Sequence, residues 1–166
     1  ISQDNTIIGN TVLYGATSGQ LYAAGQAGER FAVRNSGANV VVEGCGANGC
    51  EYMTGGTAVI LGSVGPNFGA GMTGGMAFIL DADGKFERRA NPENIVWQRL
   101  ASKYWETELR ALIATHADAT DSAWGKEILT DWDRWQPRFW QVVPREMLGR
   151  LPHPLDESEA VLEAAE

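Results

Sequence analysis

The sequence has few cysteines, few histidines and little positive charge. Its 166 residues include two Cys and two His, and 21 Asp and Glu residues outnumber 13 Lys and Arg residues. The net charge of −8 is spread along the chain, with −4 over residues 1–84 and −4 over residues 85–166. Because this charge repels phosphate groups, it argues against a nucleic-acid partner and against binding to an anionic membrane surface.

Long apolar runs and a secretory leader are missing as well. No apolar segment approaches the ~20 residues that span a bilayer, and the chain does not open with a basic segment followed by an apolar one. We therefore expect a soluble, cytoplasmic chain with no membrane partner. Since removal of an initiator Met normally exposes a small residue, Ile1 indicates that the chain is part of a longer polypeptide.

The two cysteines, Cys45 and Cys50, are too few for a disulfide framework, for a four-ligand zinc site or for an iron–sulfur cluster. Neither His116 nor His153 is near them in the sequence. We therefore interpret both cysteines as small buried hydrophobic residues in a reducing compartment. The sequence predicts no metal ligands.

Glycine and tryptophan are distributed very unevenly. Of the 20 glycines, 18 lie in residues 1–84, whereas all six tryptophans lie at position 97 or beyond. The glycine-rich half is neither collagen, because glycine does not recur at every third position, nor a disordered linker, because apolar runs cross it at 11–14, 40–42 and 59–61. The two halves must fold differently.

The glycine-rich half contains a repeat of 19 residues. Residues 38–56 align without a gap on residues 57–75, with seven identities that include Val40 with Val59 and Asn48 with Asn67. Glycine recurs too often after each apolar run for a helix to connect two parallel strands there. The residue patterns of leucine-rich repeats and of hexapeptide β-helices do not match this repeat either. The sequence therefore predicts a mainly β fold, a parallel β-helix with rungs of about 19 residues over residues 1–90.

Equivalent residues of successive rungs should stack in columns. The alignment predicts a polar column, an apolar column and a column of glycine corners that need a positive φ or close packing. These columns are Asn35, Thr54 and Thr73; Val40, Val59 and Phe78; and Gly37, Gly56 and Gly75.

The second half is predicted to be a helical extension over residues 91–155. Asn91 and Pro92 predict a helix start, and Leu109, Leu112, Ile113 and His116 recur on one helix face. Residues 120–122 predict the cap of a further helix, whose face carries Ile128, Trp132 and Trp135, and residues 139–143 predict an extended segment that Pro144 ends. Residues 156–166 form an acidic tail, either a loose helix or disordered.

One motif resembles a nucleotide-binding fingerprint. Residues 44–49 read G-x-G-x-x-G directly after the apolar run 40–42. The fingerprint needs a helix that begins at its third glycine and an acidic residue about 20 positions later. Residues 50–54 instead run into Gly55 and Gly56, and residues 63–70 contain no acid. We interpret these glycines as structural corners.

The remaining chemistry-bearing residues also favour structural roles. His116 lies on an apolar helix face, which is typical of a hydrogen-bonded core or capping histidine, and His153 lies in a surface turn between two prolines. The charged residues of the first half are expected to form ion pairs or ladder contacts. They are Glu29, Glu43 and Glu51 with Arg30 and Arg34. The sequence therefore predicts no catalytic, cofactor-binding or metal-binding residue.

Several segments carry a resemblance to a known family. Residues 10–16, 27–38, 41–44, 49–56 and 70–75, together with His116, Ser122 and the Val143-Pro144 pair, resemble the C-terminal β-helix domain, of the GXGXG type, of the glutamate synthase large subunit. The resemblance covers nearly all of residues 7–151. It implies a right-handed, single-stranded parallel β-helix that is truncated on its N-terminal side in this chain.

The resemblance also implies a parent enzyme. That enzyme makes L-glutamate from L-glutamine and 2-oxoglutarate, and its partners for this segment are an amidotransferase domain and a barrel with FMN and an iron–sulfur cluster. No catalytic residue of the family matches this chain, so a scaffolding role without its own cofactor is expected. The open edge at the first rung predicts self-association. Two alternatives are a subunit related to formylmethanofuran dehydrogenase and a stand-alone protein-interaction module.

Overall fold

A computed structural model describes residues 1–158. Within them are eight strands, four α-helices and three short 3-10 helices. The strands are β1 (Thr6–Ile8), β2 (Gln20–Tyr22), β3 (Gln26–Ala27), β4 (Ser36–Val42), β5 (Thr54–Ile60), β6 (Gly74–Leu80), β7 (Ile95–Arg99) and β8 (Phe139–Pro144). The helices are α1 (Phe86–Arg89), α2 (Lys103–Thr120), α3 (Ala123–Thr130) and α4 (Trp132–Trp135).

The strands form a solenoid whose main sheet has six strands. Their order is β2, β4, β5, β6, β8 and β7, and the first four are parallel while β8 and β7 run antiparallel to their neighbours. Strands β1 and β3 form a second, two-stranded parallel sheet. The predicted parallel β-helix with a 19-residue period is confirmed, because Leu21 pairs with Val40 and Val59 pairs with Phe78.

The register shifts within three strand pairs, and the shift between β4 and β5 changes one of the predicted columns. A shift between Ser36 and Asn39 makes one interval 18 residues long, so that Val41, not Val40, pairs with Val59. The expected column of Val40, Val59 and Phe78 is therefore wrong at its first member. Since neighbouring strand residues point to opposite faces, this shift moves Val40 to the interior of the solenoid.

The predicted polar column is also only partly correct. Thr54 and Thr73 are exposed on the same side, although Thr54 pairs with Gly74, one residue beyond Thr73. Asn35, in contrast, is completely buried. Its side chain accepts hydrogen bonds from the backbone of Ala38 at 2.9 Å and donates to the carbonyl of the same residue, so it caps a turn instead of continuing a surface column.

Four successive turns of the solenoid repeat an unusual backbone conformation. In residues 11–15, 30–34, 48–52 and 67–71, which we call the left-handed turns, three alternate residues have φ between +54° and +74°. Nine of these twelve are not glycine: Thr11, Leu13, Arg30, Ala32, Arg34, Asn48, Cys50, Tyr52 and Asn67. Seven of these nine donate their N–H to a carbonyl of an adjacent turn, as Arg30 does to Ala47 at 2.8 Å. Each non-glycine residue in this conformation costs about 1 kcal/mol.

Two apolar layers lie on opposite faces of the main sheet. Alternation along β4 sends Val40 and Val42 into the solenoid interior and Val41 towards the helices. The outer layer packs the sheet against the buried faces of α2 and α3, with Leu109, Ile113 and Ile128 among its members, and with three tryptophans: Trp124, Trp132 and Trp135. Side chains of the second half thus cover one whole face of the solenoid.

The second half contains strands as well as helices. No helix starts at Asn91 as predicted; its side chain accepts from Glu93 N–H at 3.0 Å in a short turn, after which β7 pairs with β8. The long helix α2 starts later, where Ser102 is the N-cap residue. The predicted extended segment is β8, which ends at Pro144. Within residues 1–158, none of the helices combines the length and apolar character needed to traverse a bilayer.

Most of the predicted acidic tail lies outside the described residues. Only positions 156–158 of the segment 156–166 belong to the part of the chain that the structure describes.

Candidate functional site

Three polar side chains from distant parts of the chain meet between the solenoid and the helices. His116 Nε2 lies 3.2 Å from Glu43 Oε1, and the Ser122 hydroxyl donates to the same carboxylate oxygen. All three residues are buried, with exposed fractions of 1% for Glu43, 0% for His116 and 2% for Ser122. We call this group the junction cluster.

Local structure explains why each residue of the junction cluster is where it is. Glu43 directly follows β4, and His116 lies on the buried face of α2 next to Ile113 and Ala117. Asp121, with φ of +55°, turns the chain from α2 into α3. Ser122 then serves as the N-cap residue of α3, because its Oγ accepts from Gly125 N–H at 2.9 Å.

Electrostatics keep the Glu43 carboxylate ionised. Burial alone would raise the pKa of Glu43, but the hydrogen bonds from His116 and Ser122 outweigh it and lower that pKa below its ordinary value. A carboxylate is only an acceptor, so His116 Nε2 carries the proton of this bond. Glu43 Oε2 and His116 Nδ1 have no hydrogen-bond partner among the side chains and backbone of residues 1–158.

The junction cluster has the residue types of a catalytic triad but not its connectivity. In a triad the histidine lies between the serine and the acid, so that it can take the hydroxyl proton. Here His116 and Ser122 both donate to one oxygen of Glu43, and the hydroxyl proton already points at the carboxylate. The arrangement thus joins the end of β4, α2 and the start of α3 around one buried carboxylate.

Both cysteines lie in the apolar interior of the solenoid. Cys45 and Cys50 are free thiols with exposed fractions of 7% and 0%. Burial raises the pKa of Cys45 to about 12, and burial followed by the nearby Cys45 raises the pKa of Cys50 well above its ordinary value. These two thiols are also fewer than the four cysteine ligands that usually hold an iron–sulfur cluster. Among residues 1–158, no group of His, Cys, Asp and Glu side chains is arranged to hold a metal ion.

The glycine motif at residues 44–49 does not lead into a helix. Residues 48–52 form one of the left-handed turns, and β5 begins at Thr54. A Cβ atom on Gly46 would lie 2.9 Å from the backbone nitrogen of Glu29, and one on Gly65 would lie 2.4 Å from that of Ala47. These glycines therefore allow adjacent turns to approach closely, as expected for structural corners.

The charged residues of the first half are arranged differently from the expectation. Glu29 and Glu51 form no ion pair with Arg30 or Arg34 within residues 1–158, and Glu43 instead belongs to the junction cluster. Arg34 instead lies over Tyr52, with its guanidinium 5.7 Å from the ring centre. The expected ladder contacts exist in the backbone, where Arg34 N–H donates to the Glu51 carbonyl at 2.9 Å.

Asparagine side chains form the surface ladder that the alignment of Asn48 with Asn67 suggests. Asn67 Nδ2 donates to Asn48 Oδ1 at 3.0 Å, and Asn91 Nδ2 donates to Asn67 Oδ1 at 3.1 Å. His153 lies in the expected bend, where its ring stacks on Tyr104 with 3.5 Å between ring centres. These side chains connect neighbouring segments of the chain.

Sequence reasoning missed the pairing of Glu43 with His116 because 73 residues separate them. One signal was available. A glutamate directly after a buried apolar strand and a histidine on an apolar helix face both need a polar partner in the core.

Comparison with known proteins gives one family and a consistent set of relatives. The family model described as "GXGXG motif" matches residues 1–145. The chain is 62% identical over 157 residues to the glutamate synthase (NADPH) large chain of Azospirillum brasilense, covering 95% of this chain and 10% of that protein. It is also 46% identical over 173 residues to the protein of the same name from Bacillus subtilis, covering 99% of this chain and 11% of that protein.

A ferredoxin-dependent relative is similarly close. The chain is 55% identical over 142 residues to the ferredoxin-dependent glutamate synthase 2 of Synechocystis, covering 86% of this chain and 9% of that protein. The chain thus spans about a tenth of the length of these curated relatives.

Proposed function

The chain belongs to the GXGXG-motif family, and from this premise we propose that it is the β-solenoid domain of a glutamate synthase large subunit. The whole enzyme would make L-glutamate from L-glutamine and 2-oxoglutarate. Its amidotransferase domain, FMN and iron–sulfur cluster would lie in other parts of the polypeptide. Both free thiols fit a reducing compartment, so we place the enzyme in the cytoplasm.

We further propose that this domain is a scaffold without catalytic residues of its own. One observation carries this proposal: the side chains best suited to chemistry are buried inside the domain. Glu43, His116 and Ser122 bond one another, and Cys50 lies in the solenoid interior. These four side chains are 0–2% exposed, which leaves almost no surface for a substrate to contact. The domain would instead hold the amidotransferase and synthase domains in a fixed relation.

The relatives favour this proposal over the two alternatives. The relatives described above are named glutamate synthases, some for NADPH and one for ferredoxin. A domain that occurs in enzymes with either electron donor is better explained by a structural role than by a role in electron transfer. The formylmethanofuran dehydrogenase and stand-alone interpretations rest on no comparable observation.

The test compares two kinds of variant in the complete large subunit. Cys50→Ser and Ser122→Ala should leave the rate per folded, flavin-loaded molecule nearly unchanged. Gly75→Ala should instead lower thermal stability and also uncouple glutamine hydrolysis from glutamate formation, because its Cβ would lie 2.8 Å from the Gly56 carbonyl oxygen of the adjacent turn. The two activities should be assayed separately, as ammonia release and as glutamate synthesis.

Either result could contradict the proposal. If Cys50→Ser or Ser122→Ala abolished synthesis in a normally folded enzyme, the domain would be catalytic. If Gly75→Ala lowered stability while both activities and their coupling stayed normal at low temperature, the domain would not be needed to hold its neighbours in position.

A further inference from the structure

One face of the solenoid presents exposed arginine and tyrosine side chains. Two adjoining grooves share Arg34 and Tyr52 and extend from Thr11 on the first left-handed turn to Thr73 beyond the fourth. Tyr14 is 59% exposed and Tyr52 is 50% exposed. We call this surface the arginine face, and its members are Tyr14, Arg30, Arg34 and Tyr52.

The charge of the arginine face is opposite to that of its surroundings. Residues 1–84 contain six acidic residues and only two basic ones, and these two are Arg30 and Arg34. Both are exposed, and neither belongs to any of the ion pairs within residues 1–158. Glu51 is the one acid that lines the grooves. Two guanidinium groups are thus available to an outside carboxylate.

Three of the four members of the arginine face have a strained backbone. Arg30, Arg34 and Tyr52 have φ of +59°, +56° and +54°, a conformation that favours glycine. Glycine occupies the position equivalent to Arg34 and Tyr52 in the first and fourth left-handed turns, as Gly15 and Gly71. Large side chains are therefore held on this face although glycine fits the backbone better. Backbone strain that glycine would remove, but that the sequence keeps, is typical of functional positions.

We propose that the arginine face binds an extended, acidic segment of a partner protein. Guanidinium groups bind carboxylates through two parallel hydrogen bonds, and arginine and tyrosine are the residues that dominate the energy of many protein interfaces. The arginine face covers three turns, which at ~4.8 Å spacing span roughly 10 Å, the length of about three extended residues. A small anion would fill only part of this length. The inference does not depend on which enzyme contains the domain.

The test measures binding of a defined acidic peptide to the complete 166-residue chain. The probe is a fluorescein-labelled decapeptide of alternating Glu and Gly, followed by fluorescence anisotropy at low ionic strength, with a Gln–Gly peptide for comparison. We expect saturable binding of the Glu peptide only. The double variant Arg30→Gln with Arg34→Gln should weaken it at least tenfold at unchanged melting temperature.

A charge-matched control separates the arginine face from net charge. Arg88 and Arg150 are also exposed, and Arg88→Gln with Arg150→Gln removes the same two charges elsewhere. This control should change the affinity less than twofold. An equal loss in both double variants would overturn the proposal. Two other results would also overturn it: displacement of the peptide by an equal concentration of inorganic phosphate, and self-association of the chain through Arg30 and Arg34.

The backbone strain at Arg30 can be tested by a substitution that changes both stability and peptide binding. Arg30→Gly should raise the melting temperature by about 2–4 °C, because it relieves a left-handed residue, while it weakens peptide binding. The opposite result, a lower melting temperature with binding retained, would remove the reason for assigning function to this face.

Discussion

The two halves of the chain stabilise one sheet by opposite means. In the solenoid, glycines bring the backbones of adjacent turns together, so that a Cβ atom on Gly55 would lie 2.3 Å from the Ser36 carbonyl oxygen. In the second half, large side chains fill the space, and Trp124 both packs on the sheet and donates its indole N–H to the Leu61 carbonyl at 2.6 Å. The solenoid should therefore be sensitive to added atoms and the helical layer to removed atoms.

The largest effect should come from adding atoms to the solenoid. In Gly74→Val the new Cβ would lie 2.0 Å from the Thr54 carbonyl oxygen, which is backbone and cannot move aside. We expect this variant not to fold, as measured by circular dichroism and by yield of soluble protein. Gly9→Val is the matched control, because a Cβ there meets no atom within 4 Å. Equal folding of both variants would refute close turn packing as the basis of the solenoid.

Removal of atoms from the helical layer should come next. Trp124→Ala deletes a buried indole and leaves the Leu61 carbonyl without its donor, so we expect a loss of about 3–5 kcal/mol in the free energy of unfolding. Urea denaturation gives this value directly. Trp124→Phe, which keeps most of the apolar contact, should lose clearly less. If both variants lost the same amount, the hydrogen bond and not the packing would dominate.

The junction cluster, which joins the two halves, should show an intermediate effect that depends on pH. Glu43→Gln keeps the shape but removes the charge that His116 and Ser122 bond, at a cost of about 1–3 kcal/mol at neutral pH. The pKa of Glu43 is lowered in the folded chain, so its contribution is complete above the unfolded value of about 4.3 and is lost as the pH falls through the folded value.

The measurement is the urea midpoint of both proteins from neutral to acidic pH. The difference in urea midpoint between the wild type and Glu43→Gln should be largest above about pH 5 and should disappear at acidic pH. Glu127→Gln, at an exposed position of α3, serves as the control and should track the wild type at every pH. A gap that stayed constant into strong acid would mean that the charge of Glu43 is not what stabilises the junction.

The smallest effect should come from the asparagine ladder. Asn67 is exposed and joins Asn48 to Asn91, so Asn67→Ala should cost about 1 kcal/mol through lost hydrogen bonds and left-handed strain. Asn67→Gly loses the same bonds but relieves the strain, and it should be nearly neutral. Calorimetric melting temperatures distinguish the two. The same loss in both would assign the effect to the ladder alone.

The repeat was predictable from the sequence because it is local and periodic. The alignment of residues 38–56 with 57–75 predicts which strands are neighbours, and Val59 with Phe78 has the predicted spacing. It could not predict the 18-residue interval between Val41 and Val59. A bulge between Ser36 and Asn39 places one extra residue in β4 and so shortens the spacing of the paired residues by one, and no residue type in the sequence marks it.

The second half was less predictable because its strands pair over long distances. Asn91 and Pro92 have the residue types of a helix start. Residues 95–99 nevertheless form a strand, because they pair with β8, which lies some 40 residues later in the chain. The junction cluster had the same difficulty. His116 was interpreted as a bonded core residue, yet only the folded chain shows that its partner is Glu43, from the other half.

The antiparallel pairing of β8 with β6 has a consequence for the order of folding. Leu80, at the end of β6, pairs with Phe139, which is synthesised 59 residues later. At translation rates of roughly 5–20 residues per second, the outer edge of β6 stays open for about 3–12 s after that strand has been made. Throughout that interval the growing solenoid presents an unpaired strand to other nascent chains. The last turn of the solenoid is therefore the stage at which this polypeptide depends most on a chaperone or on low crowding at the ribosome.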